Sequence, residues 1–113
     1  MKLFYRKSGI GPPLLILHGL FGSSDNWVSM AGQLSKHFTV IVPDERNHGR
    51  SPHSDIFDYK SLRDDAIELL QGEGIDHAYV AGHSMGGKVA MEMAIYMPEI
   101  VKKLVVLDIS PRK

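Results

Sequence analysis

The sequence predicts an α/β protein with a mostly parallel sheet and helices on both faces, and three observations predict it. Short apolar runs recur four times: LLILH at 14–18, FTVIV at 38–42, AYVAG at 78–82 and LVVLD at 104–108. None of them alternates cleanly with polar residues, which is the pattern of strands covered on both sides. Between them lie segments with apolar residues at helical spacing. Strand, helix, strand, helix, strand, helix, strand is the order of parallel strands joined by right-handed crossovers.

Each element has its own local reason. Lys2–Lys7 has strand composition and is expected at one edge of the sheet, followed by a turn at Gly9, Gly11, Pro12 and Pro13. Residues 14–18 form a central strand, and His18–Asp25 (HGLFGSSD) is a glycine-rich loop. Trp27, Met30, Ala31 and Leu34 fall at i, i+3, i+4 and i+7, predicting an amphipathic helix of about three turns. Residues 38–42 form the next strand, closed by Pro43, and a polar, turn-rich loop runs from Asp44 to Phe57. Asp58 is placed to cap a helix whose apolar face is Tyr59, Leu62, Ala66 and Leu69, ended by Gly72 and Gly74. Residues 78–82 form a third buried strand. A sharp turn at Ser84 opens a helix with Val89, Ala90, Met93, Ala94 and Met97 inward, stopped by Pro98. Residues 104–108 are a fourth buried strand.

Composition narrows the function. The 113 residues are 43% hydrophobic and 23% charged, which fits a globular chain. Thirteen basic and thirteen acidic residues cancel, leaving no cationic surplus for nucleic acid or an acidic membrane. There is no cysteine, so disulfides, thiolate metal sites and a cysteine nucleophile are excluded together. No apolar run approaches the roughly 20 residues of a membrane span. Lys2, Arg6 and Lys7 are followed by no apolar signal core. The expectation is a cytoplasmic protein without membrane insertion.

Gly82-His83-Ser84-Met85-Gly86 matches G-x-S-x-G between an apolar strand and a helix, the setting of a nucleophile elbow. Close approach of the two backbones calls for glycine at Gly82 and Gly86, and the tight turn projects the Ser84 hydroxyl above the sheet. The competing reading is a glycine-rich strand-to-helix turn that binds phosphate, but no Walker or G-x-G-x-x-G pattern accompanies it. A serine nucleophile needs an oxyanion hole. Met85 N–H, at a helix N-terminus, is one candidate donor. The loop after the neighbouring strand offers the second, Leu20 N–H first and Phe21 N–H as the alternative.

HGLFGSSDNW, DERNHGRS, GHSMGGKVAM and LVVLDISP, in that order, resemble the α/β-hydrolase superfamily, and in particular its group of YbfF-like and abhydrolase domain-containing 11 esterases. The RNHG form narrows the resemblance, since the wider superfamily more often carries R-G-x-G there. The resemblance implies the N-terminal part of a single α/β-hydrolase domain, without the C-terminal strands and lid. It implies a serine hydrolase acting on carboxylic esters or thioesters through an acyl-enzyme, with no cofactor and no metal. It also implies that Asp108, at the end of the last strand, is the acid of the triad, although a cap or loop role suits it too. Other activities on the same fold stay open: a cofactor-free haloperoxidase, a carbon–carbon bond hydrolase or a menaquinone-pathway lyase.

None of the six histidines sits where the resemblance places the base. His83 is expected to point away from Ser84, His18 to brace its loop, and His48 to lie in the Asp44 loop. His37, His53 and His77 read as exposed or loop residues. The base is therefore expected outside this chain, which leaves an inactive fragment or a binding module as the rival from another class. Asp44 and Arg46 read as a loop-fixing pair, and Asp64 and Asp65 as solvated helix surface. The strand at 104–107 is expected at an open sheet edge, able to pair with a second copy.

Overall fold

A computed structural model describes residues 1–107. Five strands form one sheet: β1 (Tyr5–Ser8), β2 (Pro13–Leu17), β3 (Thr39–Pro43), β4 (Ala78–His83) and β5 (Val101–Leu107). Their spatial order is β1-β3-β2-β4-β5, with β1 antiparallel to β3 and the remaining pairs parallel. The central strand, β2, pairs with β4 in parallel, so the loops that follow the two open side by side. That is where ligands bind in sheets of this kind.

Both faces of the sheet are covered over β2, β3 and β4, as their unbroken apolar runs require. Leu15, Leu17, Ile41 and Val80 pack with α2 (Tyr59–Gly72) and α3 (Met85–Tyr96) through Leu62, Ala66, Leu70, Val89 and Met93. The alternate residues Leu14, Ile16, Val40 and Val42 face Trp27, Ala31 and Leu34. The period of two along β2 thus assigns its side chains to opposite layers.

Three expectations need correction. The helix around Trp27 is shorter than three turns. A 3₁₀ turn, Ser24–Trp27, precedes α1 (Val28–Leu34), because Ser23 and Asn26 close a reciprocal cap. Met30 lies outside the packed face and is exposed. On α2, Asp58 does cap the helix, accepting from Ser61 N–H at 2.8 Å, and Gly72 is its last residue. Its buried face, however, is Leu62, Ala66, Ile67 and Leu70; Tyr59 is exposed and Leu69 only partly buried. Finally, among the described residues β5 has a partner on one side alone, the open edge expected of it. Leu104, Val105 and Val106 are 39%, 49% and 43% exposed, so the expected burial of this strand does not hold.

Candidate active site

The turn from β4 into α3 has a geometry that few sequences tolerate. Ser84 sits at φ 56°, ψ −116°, a conformation that costs a non-glycine residue on the order of 1–3 kcal/mol. A methyl group at Gly82 would overlap the Gly86 carbonyl, and one at Gly86 would overlap the carbonyl of Leu17 on β2. The two glycines let α3 start directly against the strands. The Ser84 side chain is exposed, and its hydroxyl has no hydrogen-bond partner among the described residues. Its carbonyl accepts from Gly87 N–H at 2.9 Å and Lys88 N–H at 3.2 Å, starting the helix. Met85 N–H, at the positive end of that helix, has no acceptor among the described residues.

The β2 loop lies against this turn. A side chain at Gly19 would come within 3.1 Å of His83 Nδ1 and 3.4 Å of Ser84 Cβ. Leu20, Ser84 and Met85 line one cleft of about 690 Å³, whose other walls include Phe57, Tyr59, Leu62 and Met91, with Lys88 and Asp58 as its charged residues. Leu20 N–H has no acceptor among the described residues. Phe21, at φ 64°, instead donates its N–H to His48 Nε2 at 3.1 Å.

A dense set of hydrogen bonds ties this loop to the one after β3. Ser24 N–H donates to Asp44 Oδ1 at 2.6 Å, and Arg50 N–H to Asp44 Oδ2 at 2.9 Å. Burial pushes the Asp44 carboxyl up, but those amides and the Ser24 hydroxyl together hold it below its ordinary value. His18 is fully buried; its Nε2 accepts Glu45 N–H at 2.9 Å and its Nδ1 lies 2.8 Å from the Gly19 carbonyl. Accepting at Nε2 leaves the proton on Nδ1, and burial lowers the pKa, so His18 is a neutral brace. The Glu45 carboxyl is buried beside it without a hydrogen bond among the described residues, 3.3 Å from Nδ1. Burial, assisted by Asp65, pushes its pKa up to about 8, so it too is neutral at pH 7.

Two carboxylates differ from their sequence reading. Arg46 does not pair with Asp44. Its guanidinium meets Asp65 in a two-point pair, Nε–Oδ2 at 2.7 Å and Nη2–Oδ1 at 2.9 Å. Asp65 is therefore no solvated surface residue: it is 2% exposed. A signal existed, for Asp65 stands three residues after Leu62, on the inward face of α2. Glu45 and His48 carried no comparable signal, since their partners come from a loop far away in sequence.

The histidines fall largely as read. His83 stands edge-on to the Trp27 ring at 6.2 Å, and His37, His53 and His77 are exposed. His48 is buried with both ring nitrogens engaged. Asp108, the expected acid, lies outside the described residues. The strand before it ends next to the turn, with Ser84 N–H 3.4 Å from the Leu107 carbonyl.

A sheet of this order, with a strained serine at the central strand-to-helix turn, is the core of an α/β hydrolase. A model of the alpha/beta hydrolase fold matches residues 12–113, and the chain belongs to that family. Among curated relatives it is 45% identical over 109 residues to the sn-1-specific diacylglycerol lipase ABHD11 of Xenopus laevis, covering 95% of this chain and 35% of that one. It is 39% identical over 99 residues to esterase YbfF of Escherichia coli K12, covering 88% and 39%. A solved structure described as a marine microorganism esterase superposes with a TM-score of 0.94 at 50% identity, covering 97% of this chain and 42% of that one. The chain thus spans about a third of the length of the curated relatives it matches. No helix among the described residues is long and apolar enough to cross a membrane.

Proposed function

We propose that the protein to which these residues belong hydrolyses carboxylic esters or thioesters through an acyl-enzyme on Ser84. The observation that carries this reading is the strained, exposed Ser84 beside two amides unpaired among the described residues, Leu20 N–H and Met85 N–H, in one cleft. In the mechanism, Ser84 Oγ attacks the acyl carbon and gives its proton to a histidine base. The two amides and the start of the α3 dipole take up the charge that develops on the carbonyl oxygen. The C–O or C–S bond then breaks, the leaving group takes the proton, and water releases the acid. Asp108 orients the base. The base itself comes from outside this chain, because His18 and His48 have both ring nitrogens engaged elsewhere.

The largely apolar cleft suits an acyl chain, in keeping with relatives named as an esterase and a diacylglycerol lipase. A second reading, an inert or binding module, is favoured for the 113 residues alone by the absence of a histidine bonded to Ser84 among the described residues. A fluorophosphonate probe separates the two. Labelling of Ser84 in the full-length protein, lost in Ser84→Ala, supports the hydrolase; absence of labelling alongside normal folding favours the module. The open β5 edge is proposed to pair with a second copy when this chain stands alone.

A further inference from the structure

We propose that His48 is a positioning residue for the oxyanion site: it fixes the Phe21 peptide and so presents Leu20 N–H to the cleft. The inference rests on the function proposed above. Three observations carry it. Phe21 holds a left-handed backbone at φ 64°, yet its side chain is 92% exposed, so packing of its ring does not hold that conformation. Its N–H donates to His48 Nε2 at 3.1 Å, across 27 residues of sequence. His48 in turn is buried and anchored by Nδ1, 2.9 Å from the Arg46 carbonyl, and by its own N–H to the Glu45 carbonyl at 3.0 Å. The two loops are therefore locked at the peptide that follows Leu20. A Gly22 N–H to Gly19 carbonyl bond of 3.0 Å closes the turn from within.

The hydrogen bonds dictate the tautomer. Nδ1 faces a carbonyl and must donate; Nε2 faces an N–H and must present a lone pair. His48 is thus the neutral Nδ1–H tautomer. A second proton on Nε2 would face the Phe21 N–H directly and break the lock. The titratable and charged groups around it are His18, whose ring centroid is 5.0 Å away at the end of β2, and Asp44, Glu45 and Arg46 of its own loop. The Phe57 ring, at 5.9 Å, adds no charge. His18 and Glu45 are neutral, so the carboxylate of Asp44 and the Asp65-paired guanidinium of Arg46 are the formal charges of this set.

The test uses the full-length protein. Nitrogen-15 spectra of wild-type His48 should show the Nδ1–H tautomer and a scalar coupling across the hydrogen bond from Phe21 N–H to Nε2. An Nε2–H tautomer, or no coupling between the Phe21 amide and the His48 ring, would overturn the proposal whether or not any variant folds. His48→Phe keeps a ring but no acceptor. Its kcat should fall about 10- to 100-fold, less than the loss of an oxyanion donor itself, with KM within about threefold. His48→Gln retains an acceptor and should recover most of the loss. A His48→Phe enzyme with kcat within about twofold of wild type, or with KM alone altered, also overturns it. Failure of the underlying function would show separately, as ester hydrolysis surviving Ser84→Ala while the spectra stand by themselves.

Discussion

Arg46 and Asp65 join the β3 loop to helix α2 through a buried two-point ion pair at 2.7 and 2.9 Å. Arg46 also donates from Nη1 to the Ile56 carbonyl at 2.8 Å, so one side chain ties both ends of the loop. Removing one partner leaves the other charged and buried, which costs about 3–5 kcal/mol. Asp65→Ala should therefore destabilise the full-length protein by about that amount, read as a lower denaturant midpoint. Arg46→Met with Asp65→Leu should cost markedly less. Equal losses in the single and double variants would show that the pair's charges are not what matters.

Glu45 gives stability an unusual pH dependence. Its carboxyl titrates at about 8 when folded, against an ordinary 4.5. Between those values the folded state holds a proton that the unfolded state has released, so stability falls as pH rises. The full span corresponds to at most about 5 kcal/mol. Glu45→Gln cannot ionise. It should match wild type near pH 4 and be the more stable protein near pH 8. Parallel midpoints of the two proteins across that range would show that Glu45 ionises normally.

Ser84→Ala should lower turnover of the full-length enzyme by on the order of 10⁶, as removal of a nucleophile does elsewhere. Ser84→Gly adds a second readout. The backbone at φ 56°, ψ −116° suits glycine, so this variant should be equally inactive yet more stable by about 1 kcal/mol. A Ser84→Gly protein less stable than wild type would mean that the turn is not strained in solution.

The strands and the serine turn were legible because each rests on a local pattern. Four apolar runs needed no knowledge of their neighbours, and Gly82 and Gly86 announce the close approach of α3 to β2. The errors came where partners are distant or where a cap competes with periodicity. Asp65 resembles any helix carboxylate until Arg46 is brought to it across 19 residues. Trp27 continues the apolar spacing of α1, but the Ser23–Asn26 cap turns its residues into 3₁₀ geometry. The role of His48 depends on Phe21, 27 residues earlier, and no spacing rule joins them.

Asp108→Asn in the full-length enzyme should reduce turnover by about 10⁴ if the carboxylate holds the base in its working tautomer. The substrate KM should stay within about threefold. A loss under tenfold would assign the acid to a residue beyond this chain.

The 113 residues expressed alone should be nearly inactive and should self-associate. The first half follows from the base. Without a histidine at Ser84 the hydroxyl stays protonated at neutral pH, leaving roughly 10³ to 10⁴ over the uncatalysed reaction from the oxyanion site and binding. The second half follows from β5, whose outer edge offers a ladder unpaired among the described residues and flanked by the exposed Leu104, Val105 and Val106. Charge blunts such edges, so Val105→Lys should shift the species toward monomer in sedimentation velocity. A monomeric chain hydrolysing p-nitrophenyl acetate at several turnovers per second or more, a rate ordinary for enzymes, would contradict both halves. One of the six histidines would then be the base, and His18, at the end of the strand beside the nucleophile's own, would be the first to replace.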